Sequence, residues 1–386
     1  MAAQANAKPF NASSFIHKEP FYDTTTTLVT ASSTFLGPVS VVPYGFLRRI
    51  WMQVDATGGT KGSGVVNSAL PTAQAAVFSL QNVDFHDVNG ASIIQNLSGW
   101  DIYLINRFGN YNQGTDLPDA AFGWHASATD STGTATATVA QPVFGSMVSA
   151  TAAAMGFAFG LYIPLEVSNN GLCALANQDA AAKYQMSMTV APNQTLYSTA
   201  PTTPANMRIR LYADCWAQPY PQDIFGRQQT MAPPLLGSTQ FWTRYQKSPT
   251  AGLYTVDLER RGAYIRTLIL YLTGGTAVNG VYPLDYTDYP DPMTFLWDGQ
   301  IVRVESSILR YAEMAFSYAQ YGFAMPTGVF VYQNSDDTAY GDDNGALWYP
   351  TLTSTNMQFQ GTYGSTVASL TLNILTNDIA IANLGG

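Results

Sequence analysis

The stretch MRIRLYADCW places Met207, Ile209, Leu211 and Ala213 on one side of an alternating pattern and Arg208, Arg210, Tyr212 and Asp214 on the other. A period of two predicts a strand with one face buried. Similar short runs, rich in β-branched and aromatic residues and bounded by Gly, Asn, Asp or Pro, recur along the chain. FLRRIWMQVDA, AAVFSLQNVDF, GWDIYLINRF and GFAFGLYIPLEV are read as strands in the first half; AYIRTLILYL, MTFLW, GQIVRVES, GVFVYQ and ASLTLNILT in the second. Helical spacing is scarce. The alanine-rich NNGLCALANQDAAAKYQ predicts a helix over 172–183. SSILRYAEMAFSYAQYGF predicts one over 307–318, with Ile308, Tyr311, Ala312, Ala315 and Phe316 near helical spacing and a serine pair to cap its start.

The two halves repeat an order of features. YGFLRRIWMQV and RRGAYIRTLILYL share Gly-x-x-x-Arg, as Gly45/Arg49 and Gly262/Arg266, followed by an apolar run. Each half carries a Trp-Asp pair read as part of a strand, Trp100-Asp101 and Trp297-Asp298. Each has a strand ending in glutamate, Glu166 and Glu305, then its helix, then a strand (YQMSMTV, GVFVYQ), a polar loop and a closing strand (MRIRLYADCW, ASLTLNILT). Chance supplies one motif more easily than a whole order, so the chain is read as a duplication. QPYPQDIFGRQQTMAPPLLGS, rich in proline, reads as the linker. The expected division is an N-terminal arm at 1–25, a first domain at 26–218, a linker at 219–238 and a second domain at 239–386. About eight antiparallel strands per half with long loops fit a jelly roll. The expected fold is therefore all-β: two tandem eight-stranded jelly rolls, each with one helix late in its strand order.

Composition adds a surface to this picture. Of 386 residues, 46% are apolar but only 11% are charged, against roughly 25% in average soluble proteins. A polar but uncharged surface suits a chain that meets other protein, because charge is depleted at interface cores. Lysine and glutamate number five each, arginine twelve and tyrosine 23, and arginine and tyrosine are the residues that interfaces favour. The net charge of −9 and a pI near 4.7 argue against nucleic-acid binding, which needs a basic face. The densest basic cluster, Arg260-Arg261 with Arg266 nearby, reads as strand-end arginines in ion pairs. Cys173 and Cys215 make no disulfide framework. They are expected as free, buried thiols of a protein made in a reducing cytosol, one bridge between them remaining open. MAAQANAKPF lacks the basic start and apolar core of a secretory signal. The uncharged segment 144–165 is read as loop plus buried strand rather than a transmembrane helix.

Candidate chemistry is thin. His17, His86 and His125 share no close spacing and are expected as ordinary surface or loop residues; no Cys/His set has zinc spacing. Asp336, Asp337, Asp342 and Asp343 in NSDDTAYGDDNG, and Asp285, Asp288 and Asp291 in DYTDYPDP, could offer hard oxygens to calcium, but without EF-hand spacing they read as solvated acidic loops. GGTKGSG at 58–64 leads from a strand into a loop, so it is a turn rather than a phosphate cradle. No Gly-x-Ser-x-Gly elbow occurs at a strand-to-helix turn. Glu166 and Glu305 fall at equivalent strand ends, which suggests structural reuse rather than a glycosidase pair. No residue is put forward as catalytic, cofactor-binding or metal-ligating, and no cofactor is expected.

Through GFLRRIWMQV, SGWDIYLIN, YIPLEVSNNGLCALANQDAAAKYQMSMTVA and MRIRLYADCWAQPYPQ in the first half, and AYIRTLILYL, AEMAFSYAQYGFAMPTGVFVY and ASLTLNILT in the second, the chain resembles a major capsid protein of the double jelly-roll lineage. The likeness is to those of tailless, internal-membrane bacteriophages of the tectivirus type, with adenovirus hexon a distant relative. It spans most of the chain and rests on order and length. It implies no catalytic residues. It implies a homotrimer whose six upright rolls form a pseudo-hexagonal capsomer, tiling an icosahedral virion shell over an internal membrane that encloses DNA. Its partners would be its own copies, neighbouring trimers, and penton, spike or minor capsid proteins, with no direct nucleic-acid binding. The protein would be made in the host cytoplasm. The arm at 1–25 could touch the membrane or neighbouring trimers; it is short, mixed and threonine-ended, unlike a long amphipathic helix, which argues against insertion. The competing readings are a two-domain jelly-roll carbohydrate-binding module, which calls for an exposed aromatic platform, and a jelly-roll hydrolase, which calls for a carboxylate pair or metal triad in one concave face.

Overall fold

The computed structural model describes residues 7–29, 31–60, 77–109, 154–167, 171–193, 203–258, 263–274, 288–319, 326, 328–333, 348–354, 356–363 and 370–382. After a helical turn, α1 (Phe10–Ser13), the first half contributes β1 (Ile16–Thr27), β2 (Thr34–Ser40), β3 (Phe46–Thr60), β4 (Leu80–His86), β5 (Ser92–Leu97), α2 (Gly99–Phe108), β6 (Ala154–Pro164), β7 (Leu175–Ala176), β8 (Gln185–Val190) and β9 (Asn206–Trp216). The second contributes β10 (Thr239–Lys247), β11 (Gly252–Asp257), β12 (Tyr264–Thr273), β13 (Met293–Trp297), β14 (Gln300–Glu305), α3 (Ser307–Ala319), β15 (Val329–Tyr332), β16 (Tyr349–Pro350), β17 (Met357–Tyr363) and β18 (Thr371–Ala380).

Strand order shows the duplication directly. β1-β9-β3-β6, with β7 on β3, has its counterpart in β10-β18-β12-β15, with β16 on β12. β2-β8-β4-β5 has its counterpart in β11-β17-β13-β14. Every strand of the first half answers to the strand nine places later. Each half is thus a two-sheet, eight-stranded jelly roll with one additional two-residue strand, and the chain is a double jelly roll. The pairings within each roll are antiparallel. One pairing crosses between the rolls and is parallel: Trp242↔Ile94 and Thr243↔Gln95, joining β10 to β5 and fusing two sheets into one. One apolar cluster runs from Leu28 to Leu375 through both rolls.

The alternation in MRIRLYADCW is realised as β9, with Met207, Ile209, Leu211 and Ala213 at 0% exposure. Both helices lie between the fifth and sixth main strands of their roll. The helix expected over 307–318 is α3. The other expected helix, over 172–183, is not one: Gly171 and Cys173 have positive φ, β7 forms at Leu175–Ala176, and turns follow. The first roll's helix is instead GWDIYLINRF, which the residue pattern predicted as a strand. All ten of its residues are buried, so it shows no wet face and no amphipathic period.

Three details of the repeat change accordingly. Trp100-Asp101 sits in α2, whereas Trp297 ends β13, so the two Trp-Asp pairs are not equivalent. Glu166 follows β6 and Glu305 ends β14, which are different places in the two rolls. YQMSMTV supplies β8 and GVFVYQ supplies β15, again non-equivalent strands. The Gly-x-x-x-Arg segments do fall on equivalent strands, β3 and β12. The register, however, matches Arg48 rather than Arg49 to Arg266: each is the extra residue of a bulge, between Leu47 and Arg49 opposite β9 and between Ile265 and Thr267 opposite β18. Gly45 has φ +47, and a Cβ there would stand 2.1 Å from the Trp216 carbonyl oxygen, so only glycine fits. Gly262 lies outside the described residues.

Residues 16–25, expected in the arm, belong to β1 and pair with β9 along its length. What precedes β1 packs down: the Lys8 N–H donates to the Gln228 carbonyl and the Lys8 carbonyl accepts from the Thr230 N–H, and Phe10 stacks edge-on against Phe46 and Trp216. Of the apolar segment 144–165, residues 154–164 form β6; 144–153 lie outside the described residues. No helix among the described residues is long and apolar enough to cross a membrane.

Candidate functional site

The junction between the rolls is organised around α2. Ser98 caps it: its Oγ accepts from the Asp101 N–H at 3.2 Å, while the Asp101 carboxylate accepts from the Ser98 N–H at 2.7 Å. This capping box places an anion at the positive end of the helix. The same carboxylate reaches the second roll. The Tyr271 hydroxyl on β12 donates to it at 2.6 Å, and Arg244 on β10 lies 3.1 Å away. At the other end Arg266 donates to the Gly109 carbonyl at 2.9 Å, a cation on the negative end of the helix. Phe108 meets Tyr318 of α3 edge-on, 5.0 Å between centroids. Both ends and one face of the helix are therefore held by the second roll.

The two helices also cover the free edges of β6 and β15. Asn106 donates to the Tyr162 carbonyl at 2.6 Å and accepts from the Tyr162 N–H at 2.9 Å, imitating a neighbouring strand. On α3, Arg310 donates to the Val331 carbonyl at 2.8 Å, and the Met314 sulfur accepts from the Val331 N–H at 3.2 Å. Covering an edge in this way blocks unwanted strand addition.

A second cross-roll network surrounds Glu166. Arg48 Nε lies 2.8 Å from its carboxylate, both side chains being 3% exposed. The Trp216 indole N–H (3.0 Å) and the Gly171 N–H (2.8 Å) also donate to it, and the Arg48 guanidinium stacks over the Trp216 ring at 4.5 Å. Gln240 of β10 donates to the Glu166 carbonyl at 3.1 Å. Burial pushes the Glu166 carboxyl above the usual range, against the pull of Arg48 and the donors. Beside it Val167, Leu172 and Cys173 pack with Trp348 and Ile379 of the second roll. Burial raises both thiols, Cys173 and Cys215, to about 12, and both are free and buried.

The remaining sequence candidates fall as follows. His17 lies 3.3 Å from Glu19 with its ring on Tyr44, and His86 contacts Ser92 at 3.2 Å. Asp291 accepts from Ser306. Glu305 pairs with Arg303 at 3.1 Å. His125, Asp285, the 334–345 loop, Arg260, Arg261 and residues 61–64 of the glycine-rich turn lie outside the described residues. Among the described residues no group of three or more His, Cys, Asp or Glu could hold a metal ion. A cavity of about 260 Å³ between the sheets of the second roll is lined by Phe295, Trp297, Tyr332, Tyr349 and Met357, with Arg303 at its rim; it is apolar and brings no carboxylate pair together.

What the molecule does present is apolar surface. The edge strand β14 exposes Ile301 (63%), Val302 (61%) and Val304 (55%), and the outer face of α3 exposes Leu309 (71%) and Phe316 (75%). Near the N-terminus Phe15 and Ile16 are exposed, as are Tyr220, Ile224 and Phe225 in the segment joining the rolls. Isolated exposed apolar residues are common, but several on one edge strand and on the helix that follows it make these elements a candidate interaction site. Neither the period-two pattern of β14 nor its composition announced this exposure.

No family model matches the chain, and no curated protein matches it. Solved structures do. The STIV MCP crystal structure aligns with a TM-score of 0.58 at 12% identity, over 95% of this chain and 97% of that one. The atomic structure of Sulfolobus Turreted Icosahedral Virus contains a chain that aligns at 0.57 and 12% identity, over 95% and 91%. The Faustovirus major capsid protein aligns at 0.52 and 9% identity, over 99% and 92%. At these identities the likeness is one of fold: the chain shares the double jelly roll of these proteins across nearly its full length.

Proposed function

We propose that the protein is the major capsid protein of an icosahedral virus and that it acts as a structural component rather than an enzyme. The observation that carries this reading is the whole-length match of the two-roll fold to chains described as major capsid proteins, with little of either chain left over. The charge-poor composition and the uncovered apolar face of β14 and α3 support it, because a shell subunit buries much of its surface against copies of itself. In this reading the unit is a homotrimer with six rolls in a pseudo-hexagonal ring. Its partners are neighbouring trimers and penton, spike or minor capsid proteins, and the shell encloses an internal membrane. The division into arm, first roll, connector at 219–238 and second roll belongs to the same proposal. The segment before β1, bonded to a connector that exposes Ile224 and Phe225, is the proposed contact with the membrane or the next trimer.

Sedimentation and electron microscopy of the purified protein test this. A species of three times 41.7 kDa with pseudo-hexagonal outline is expected. A protein that stays monomeric at high concentration would overturn the reading.

A further inference from the structure

Inside the chain, the β5 edge of the first roll is closed by β10 of the second. The strand equivalent to β5 is β14, and among the described residues it ends its sheet with no strand alongside. The strand equivalent to β10 is β1, and it likewise ends its sheet. The helix after β5 is buried at every residue, its own roll covering part of it and the second roll holding both of its ends; the helix after β14 leaves Leu309 and Phe316 in solvent. The chain thus carries one completed roll-to-roll junction and the two unmatched halves of another.

We infer that β14 and α3 of one copy dock on β1 of the next, repeating between chains the parallel junction that β5 and β10 make within one. This rests on the homotrimer reading and specifies its interface. Such a contact is head-to-tail, and a head-to-tail contact closes into a ring when the rotation permits.

The internal junction sets the register. Ser98 precedes α2 and Ser306 precedes α3, the Ile102 and Arg310 amides donating to the respective serine carbonyls. Ile94 and Gln95 therefore correspond to Val302 and Arg303. On the other side, Trp242 and Thr243 pair with Asn377 and Thr376 of β18, as Lys18 and Glu19 pair with Asp214 and Ala213 of β9. Trp242↔Ile94 and Thr243↔Gln95 then become Lys18↔Val302 and Glu19↔Arg303 between copies.

The residues at those positions agree. Glu19 and Arg303 are opposite charges, 43% and 38% exposed, whose ion-pair partners are near neighbours on their own strands (His17 and Glu305), with the Arg303 guanidinium also over the Tyr332 ring. Where Asp101 meets Arg244 in the internal junction, the corresponding residues are Leu309, exposed, and Pro20: an ion pair gives way to an apolar contact. Pro20 has no N–H to donate, so a ladder along β1 stops just beyond Glu19, as the internal ladder stops at Thr243.

Glu19→Arg and Arg303→Glu, made singly in the full chain, are expected to weaken the trimer by at least roughly tenfold in sedimentation, through like-charge juxtaposition. Circular dichroism and urea midpoints should stay near wild type because both sites are at the surface. Combining the two should restore the trimer. Independently, Lys18→Cys with Val302→Cys should form an intermolecular disulfide on mild oxidation, seen as dimers and trimers on non-reducing gels. A wild-type trimer that is indifferent to the single reversals and forms no such cross-link would overturn this interface while leaving the trimer standing. A wild-type monomer would overturn both.

Discussion

The Tyr271 hydroxyl lies 2.6 Å from the Asp101 carboxylate, so a strand of the second roll holds the capped end of the first roll's helix. Because Asp101 also serves its own capping box and Arg244, the two rolls share one polar centre at 0% exposure for the acid. Tyr271→Phe removes one donor to a buried charge and is expected to cost about 1.5–3 kcal/mol. Calorimetry should still show both rolls melting in one transition. Two resolved transitions in the wild-type protein would mean that the rolls are not coupled through this centre.

Arg48 and Arg266 stand at the same bulge of equivalent strands yet have different partners, a carboxylate for one and the carbonyl end of a helix for the other. Removing Arg48 strands the buried Glu166 charge. Arg48→Ala is expected to cost about 3–5 kcal/mol, and Arg48→Met combined with Glu166→Gln distinctly less, because no ion is left unpaired. Urea unfolding of the two variants measures the difference; equal losses would contradict it.

Both thiols are held at about 12 by burial. In the native protein at pH 8 neither should react with a thiol reagent on the timescale of minutes, and both should react once urea unfolds the chain. Raised native values favour the protonated form. The associated stability is complete below the ordinary thiol range near pH 8.5 and declines as pH rises toward the native values. Prompt labelling of either residue in the folded state would contradict this.

Arg208 hydrogen-bonds Asp23 across β1 and β9, holding its carboxyl below the usual range. A depressed native value adds stability above the unfolded value near pH 3.9, lost as pH falls through the native one. The stability gap between the wild type and Asp23→Asn should therefore close on acidification below about pH 4. Melting curves across that range provide the check; a gap that widens would refute the sign. The pair is half exposed, so the effect is small.

Much of this molecule was written in its pattern of apolar and polar residues. Strands such as MRIRLYADCW, the helix α3 with one wet face, the reuse of one architecture in two halves and a surface poor in charge all follow from local periodicity and composition. These signals exist because one side of each element meets water and the other does not. GWDIYLINRF was misread because α2 is buried on every side, which erases the period that distinguishes a helix from a strand. The alanine-rich 172–183 was misread because propensity yielded to tertiary contacts: Gly171 donates to Glu166, and Cys173 turns to positive φ. Which arginine stands at the bulge, and that β10 lies beside β5, was decided only by the folded chain. Pairing between distant edges is made by backbone groups that every residue but proline possesses in full, so side-chain patterns scarcely record it.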